Sequence, residues 1–326
     1  MSSEWAKHLV VSTQCRALGA RSIEVRSFAA VRHGLATTTC GSGRPVLLVH
    51  GFAGFKESWG AVPTAIAATG RTAVAVDLPG WGESPAPRRA PHTAPWYASR
   101  LAPLLDDLGP TVVVGHSLGC QAAVQVAVRR PDLVHGLVLV SPQVVRRAQT
   151  GWRPRVPSDW AALPLIGPLA IRLLVGVLAR DDARLVRGFT VTVADPTRWR
   201  DDADALALLA EATRRFRATN ARVWSMALHR GLRTDLRRTA GGLRVPTTIL
   251  TGSRDRITKP PTAELLAASI PGARLVRLAG VGHLPQLEAP DVVVDAIAGI
   301  GSHPPRPRAG LSRARPVAPT RPPPAG

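Results

Sequence analysis

Gly115-His116-Ser117-Leu118-Gly119 directly follows the apolar run Thr111-Val112-Val113-Val114. A serine between glycines at this spacing, with a strand ahead of it, reads as a nucleophile elbow, a strained strand-to-helix turn that lifts a hydroxyl above the sheet edge for covalent attack. The glycines are needed because neighbouring backbone crowds the turn and leaves no room for side chains. Ser117 is therefore the candidate nucleophile. In a chain rich in small residues the pentapeptide alone is a weak signal, and its weight depends on the elements around it.

Those elements follow a regular grammar. Short β-rich runs recur at Pro45 to His50, Thr72 to Asp77, Thr111 to Gly115, Leu137 to Ser141, Val245 to Gly252 and Ala273 to Leu278. Each is nearly continuous in Val, Leu, Ile and Ala, as strands buried on both faces must be, and Leu118 to Arg130 and Thr262 to Ile270 carry helical spacing between them. The pattern predicts a doubly wound, mostly parallel α/β sheet. The alternation stops after Ser141-Pro142 and resumes at Val245, which predicts an inserted helical cap. Within it, Leu163 to Ala179 reads as a helix entered at Pro168, and Asp201 to His229 as a second helical segment opened by acidic residues. A helix apolar all round must be buried, line a pocket or touch lipid. The expected organisation is an N-terminal extension over 1–23, a core in two parts over 24–142 and 242–301, the cap over 143–241, and a disordered Pro/Arg-rich tail over 302–326.

With 326 residues and 45% hydrophobic content the chain can bury a full core. The longest apolar candidate for a membrane span, Ala161 to Ala179, is interrupted by Arg172. Met1 to Arg21 shows no apolar stretch of signal-peptide type, so a cytoplasmic location is expected. Cys15, Cys40 and Cys120 are too few and scattered for a disulfide framework or a zinc site and are expected to be free thiols. The formal charge of +20 is uneven: residues 143–241 hold 18 arginines against nine acids, whereas the two core segments are nearly neutral. That distribution suits an anionic substrate or membrane surface near the cap, and no nucleic-acid-binding signature accompanies it.

Four further motifs fall in the chain order of the α/β-hydrolase fold, and over about residues 24 to 301 the sequence resembles that superfamily, in particular its capped serine hydrolases of esterase and lipase type. Val46-Leu47-Leu48-Val49-His50-Gly51-Phe52-Ala53-Gly54 looks like the family's oxyanion loop, which implies that the backbone amides of Phe52 and Leu118 form the oxyanion hole. His50 itself is read as structural. Val76-Asp77-Leu78-Pro79-Gly80-Trp81-Gly82-Glu83-Ser84 is similar to the family's D-x-P-G-x-G-x-S turn, where the aspartate is architectural. Thr251-Gly252-Ser253-Arg254-Asp255 matches the position of the triad acid, implying Asp255. Gly282-His283-Leu284-Pro285-Gln286-Leu287-Glu288-Ala289-Pro290 resembles the G-H-x-P-x-x-E-x-P segment, implying His283 as general base, 28 positions beyond Asp255. Glu288 is expected to cap the helix that opens near Pro290. Many relatives carry glycine where this chain has Cys120, read here as tolerated by close packing and not reactive.

The resemblance implies acyl transfer to water on an apolar small-molecule ester, with Ser117, His283 and Asp255 as the catalytic set and no metal or organic cofactor. Serine at 117 separates the chain from the epoxide hydrolase and haloalkane dehalogenase branches, whose nucleophile is aspartate. Fold and triad leave open a C-C bond hydrolase, a thioesterase or an acyltransferase, and also a catalytically silent binding protein of the same fold.

Overall fold

The computed structural model describes residues 27–144, 166–199 and 201–300. The expected extension over 1–23, the expected tail over 302–326, Cys15 and the cap residues 145–165 lie outside them. The described chain forms one eight-stranded sheet of β1 (Ser27–Arg32), β2 (Leu35–Gly41), β3 (Arg44–Val49), β4 (Arg71–Val76), β5 (Thr111–His116), β6 (Val134–Val140), β7 (Thr247–Gly252) and β8 (Arg274–Leu278), in the order β1-β2-β4-β3-β5-β6-β7-β8. From β4 to β8 every pairing is parallel, and β2 joins β4 antiparallel. Five of the apolar runs become β3 to β7, parallel strands buried over most of their length, and the sixth becomes the edge strand β8, which leaves Arg274 and Arg277 exposed.

β1 and β2 arise differently. They pair antiparallel around His33 and Gly34, both at positive φ, the geometry a two-residue hairpin turn demands. Phe28 to Val31 of β1 are apolar, but Val31 stays 70% exposed on the edge strand, and β2 is rich in threonine, so neither is built as a buried central strand.

Two-period alternation splits the core. Leu47, Val49 and Val113 face one side of the sheet, where α2 (Ala94–Leu108), α3 (Gly119–Arg129) and α9 (Pro260–Ser269) supply Leu101, Val124 and Leu266. Val46, Leu48 and Val114 face the other, against Ile66 of α1 (Val62–Ala68) and Ile297 of α11 (Pro290–Ala298). The sheet is covered on both faces, as a parallel sheet requires.

Between β6 and β7 the described residues form helices and no strand: α4 (Gly167–Leu178), α5 (Asp182–Thr190), α6 (Ala203–Ala218), α7 (Ala221–Arg233) and α8 (Leu236–Ala240). Pro168 sits in the first turn of α4. The helical segment expected from Asp201 to His229 is made of two helices. Asp202 caps α6 through the Ala205 amide, and the chain breaks at Thr219–Asn220, where the Asn220 side chain caps α7 through the Arg222 amide.

Among the described residues no helix is long and apolar enough to cross a membrane. Cys40 and Cys120 are buried thiols.

Candidate active site

The strand order reverses between β3 and β5, which lie side by side while their following helices depart to opposite faces. Open α/β sheets leave a crevice at such a point, outside the carboxyl ends of the strands. Ser117 stands there, one residue past β5 and ahead of α3, at φ 49°, a left-handed backbone that serine adopts only under constraint. The constraint is visible. The Ser117 amide donates to the Val140 carbonyl at 2.9 Å and its carbonyl accepts the Cys120 amide at 3.1 Å, so the turn is held from both sides. A Cβ at Gly119 would collide with the carbonyls of Val49 and His50, and one at Gly115 would press on the Cys120 backbone.

The structure brings Ser117, His283 and Asp255 together from the ends of β5, β8 and β7. His283 Nε2 lies 3.0 Å from Ser117 Oγ, and its Nδ1 lies 2.8 Å from Asp255 Oδ2. A carboxylate only accepts, so Nδ1 carries the proton and Nε2 is left as the acceptor for the serine hydroxyl. All three residues are buried. Asp255 also accepts the amides of Ile257 and Thr258 on Oδ1, both at 2.8 Å, and the Thr258 hydroxyl on Oδ2 at 2.7 Å. Burial works against the Asp255 charge, yet the hydrogen bonds and charge of His283 and the Thr258 contacts outweigh it and hold the carboxyl below the usual carboxylate range.

Thr258 carries no motif signal. It lies three residues past Asp255, and its hydroxyl is also 3.2 Å from His283 Nδ1, so it braces both ends of the Asp–His contact. Only its place soon after a candidate acid could have drawn attention to it.

His116 packs its ring against His283, with centroids 5.0 Å apart, and its Nε2–H donates to the His283 carbonyl at 3.0 Å. Burial, reinforced by the nearby His283, depresses its pKa to about 3, so the ring is neutral and supports the His283 backbone without adding charge.

The oxyanion-hole candidates are the backbone amides of Leu118, which directly follows the serine, and of Phe52, which lines the same pocket. Leu118 caps α3, where helix amides are unpaired by geometry, and neither amide donates a hydrogen bond among the described residues. The Phe52 ring is wedged edge-on between Trp81 and Trp224, with centroids 5.5 and 4.8 Å away, which fixes its loop. His50 is not part of this group. Its Nδ1–H donates to the Gly51 carbonyl at 2.7 Å and its Nε2 accepts the Leu78 amide at 3.0 Å, so the neutral ring joins the loop after β3 to the turn after β4, and burial lowers its pKa.

Asp77 likewise stays with its own turn. Its carboxylate accepts the amides of Lys56 and Glu83 at 2.6 and 2.8 Å, and the Lys56 ammonium stands 3.5 Å away. Cys120 Sγ donates to the Gly115 carbonyl, and burial raises its thiol pKa far above the working range, leaving it unreactive.

Glu288 departs from the sequence expectation. The helix at Pro290 is preceded by Ala289, with no side-chain cap, and the Glu288 carboxylate turns back to accept the amides of Gly282 at 3.0 Å, Leu284 at 3.3 Å and Ala194 at 2.9 Å. It ends the one-turn α10 (Pro285–Glu288), and the tight return of the chain there points its side chain at the His283 loop instead of forward.

A cavity of about 330 Å³ opens onto Ser117 and His283. Its wall is apolar, with Phe52, Leu118 and Leu287 from the core and Leu185, Phe189 and Phe216 from the inserted helices. The volume is that of a small-molecule site.

The sequence profile of the Alpha/beta hydrolase family matches residues 46–296. A pimeloyl-(acyl-carrier protein) methyl ester esterase of Aromatoleum aromaticum is 32% identical over 76% of this chain and 93% of its own length. Lipase 3 of a Moraxella species is 26% identical over 76% of this chain and 74% of its own. Among solved structures, a thermophilic esterase from Thermogutta terrifontis superposes with a TM-score of 0.63 at 25% identity, covering 90% of this chain and 97% of that one.

Proposed function

The chain belongs to the Alpha/beta hydrolase family, and from that premise we propose that it is a serine hydrolase cleaving a carboxylic ester of an apolar small molecule through an acyl-enzyme. The reading is carried by one observation: an unbroken hydrogen-bond chain from Ser117 through His283 to Asp255 ends at the mouth of an apolar cavity. A structural serine has no need of a histidine acceptor oriented by a buried carboxylate.

In this mechanism His283 Nε2 accepts the Ser117 proton as Oγ bonds to the ester carbonyl carbon. The carbonyl oxygen takes the negative charge between the Phe52 and Leu118 amides, and Asp255 stabilises the imidazolium. The carbon–oxygen bond to the alcohol then breaks, and His283 returns its proton to the departing alkoxide. A water, deprotonated by the same nitrogen, attacks the acyl-serine, and Ser117 is regenerated with release of the carboxylic acid. Curated relatives named as a methyl ester esterase and as lipases favour the ester among substrates open to such a triad.

Labelling with a fluorophosphonate probe tests the proposal. Wild type is expected to label and Ser117→Ala to stay unlabelled, with ester turnover lowered at least about 10³-fold. Labelling or turnover retained by folded Ser117→Ala overturns it.

A further inference from the structure

Helix α4 is apolar on two opposite sides, and among the described residues one of them packs against the fold while the other is exposed. Gly167 and Ile171 are buried where the helix packs on α7, and Leu178 at its end lines the catalytic cavity. On the other side Ile166, Leu169, Leu173, Leu174 and Val177 are 42–64% exposed. At 3.6 residues per turn Ile166, Leu169, Leu173 and Val177 form one continuous stripe with Leu174 beside it. A surface so densely aliphatic marks an interaction site, since single exposed apolar residues are ordinary but a contiguous set is not.

Along α4 itself the charges have one sign. Between Ile166 and Arg180 the chain carries Arg172 and Arg180, both exposed, and no acid. The next two acids are already neutralised, Asp181 by Arg184 at 3.6 Å and Asp182 by Arg217 at 2.7 Å. A second copy of this chain would bring two such arginine sets together on partners of formal charge +20 each, a repulsive encounter. An anionic surface is attracted by both features. With 12 residues the helix is too short to span a bilayer and suited to lie in its surface plane.

We propose that the exposed face of α4 docks the protein on a bilayer containing anionic lipid, with the aliphatic stripe at the headgroup–acyl boundary and Arg172 and Arg180 at the level of the phosphates. Because the end of the same helix lines the cavity, apolar molecules dissolved in the bilayer lie beside the route to Ser117. The docking does not depend on the catalytic reading.

The test is flotation of the full chain with vesicles of phosphatidylcholine alone and of phosphatidylcholine mixed with phosphatidylglycerol. Wild type is expected to float with the mixed vesicles, less so as salt rises. Leu169→Asp with Leu173→Asp is expected to lower partitioning at least about tenfold, and Arg172→Glu to weaken it several-fold on the mixed vesicles only. All these residues lie outside the cavity wall, so hydrolysis of a soluble short-chain ester, or the thermal transition if no ester is turned over, should match wild type and certify the fold. Ser117→Ala should float as wild type does, which separates this proposal from the catalytic one. Absence of wild-type flotation, or equal flotation of the double variant, overturns the docking. So does a dimer in light scattering that Leu173→Asp splits, which would assign the face to self-association.

Discussion

Glu288 and Ala194 meet at 2.9 Å, carboxylate to amide, and this contact ties the helical insertion to the loop that carries His283. The same carboxylate oxygen holds the Gly282 amide at 3.0 Å, and the His283 amide donates to the Thr192 carbonyl at 2.7 Å. The insertion and the histidine loop therefore share a short backbone seam closed by one side chain.

Glu288→Ala leaves three amides without their acceptor, each costing about 1–3 kcal/mol where water does not replace it. The expected result is a lower thermal midpoint together with a fall of about 10- to 100-fold in kcat, because a displaced His283 loses its line to Ser117. A midpoint shift with unchanged kcat would reduce Glu288 to a structural tie.

Thr258 tests how much of the site rests on residues outside the triad. Thr258→Val keeps the shape but removes the hydroxyl that meets Asp255 at 2.7 Å and His283 at 3.2 Å. We expect kcat/KM to drop by about tenfold, with the acid limb of its pH profile displaced, and Thr258→Ser to restore both. A purely packing role would leave the pH profile where it was.

Lys56 is buried, with its ammonium 2.8 Å from Glu83, 2.9 Å from Glu57 and 3.5 Å from Asp77. Burial opposes its charge, but the carboxylates of Asp77, Glu83 and Glu57 more than offset this and raise its pKa. Lys56→Met removes the nearest cation from the Asp77 carboxylate, which is fully buried. Chemical denaturation should register a loss of about 3–5 kcal/mol. A loss below about 1 kcal/mol would show that Arg215, 3.8 Å from Asp77, suffices alone.

Three buried histidines set the acid side of the stability profile. Burial, aided by Arg222, lowers His92 to about 4, burial and His283 lower His116 to about 3, and burial also lowers His50. Each is depressed below its unfolded value of about 6.5, so the unfolded chain takes up protons first as pH falls. Stability from these groups is fully present above about pH 6.5 and is lost progressively as pH falls, down to about pH 4 for His92 and about pH 3 for His116. The thermal midpoint should be flat from pH 8 to 7 and decline below that, and His92→Gln, which removes one of the groups, should make the decline shallower. An identical slope in the variant would exclude His92 as a contributor.

Local chemistry made much of this protein legible in its sequence. The strands β3 to β7 could be read because a parallel strand covered on both faces must be largely apolar, and the turn at Ser117 because only glycine fits beside it. β1 and β2 escaped that logic, since an edge hairpin closed by His33-Gly34 needs no continuous apolar run. The break between α6 and α7 escaped it too, because Asn220 caps a helix inside what reads as one periodic segment.

The sequence by itself determined which residue types stand at the strand ends, since strand, turn and helix preferences are set by neighbours a few positions away. Only the tertiary structure decided what those residues meet. Glu288 faces Ala194 and Gly282 instead of the next helix, Thr258 spans Asp255 and His283, and α4 turns one apolar side to α7 and leaves the other in solvent. These relationships join atoms far apart along the chain or facing opposite ways on one helix. Periodicity marks a residue as apolar or polar, but which surface it finds depends on how the sheet brings distant loops together.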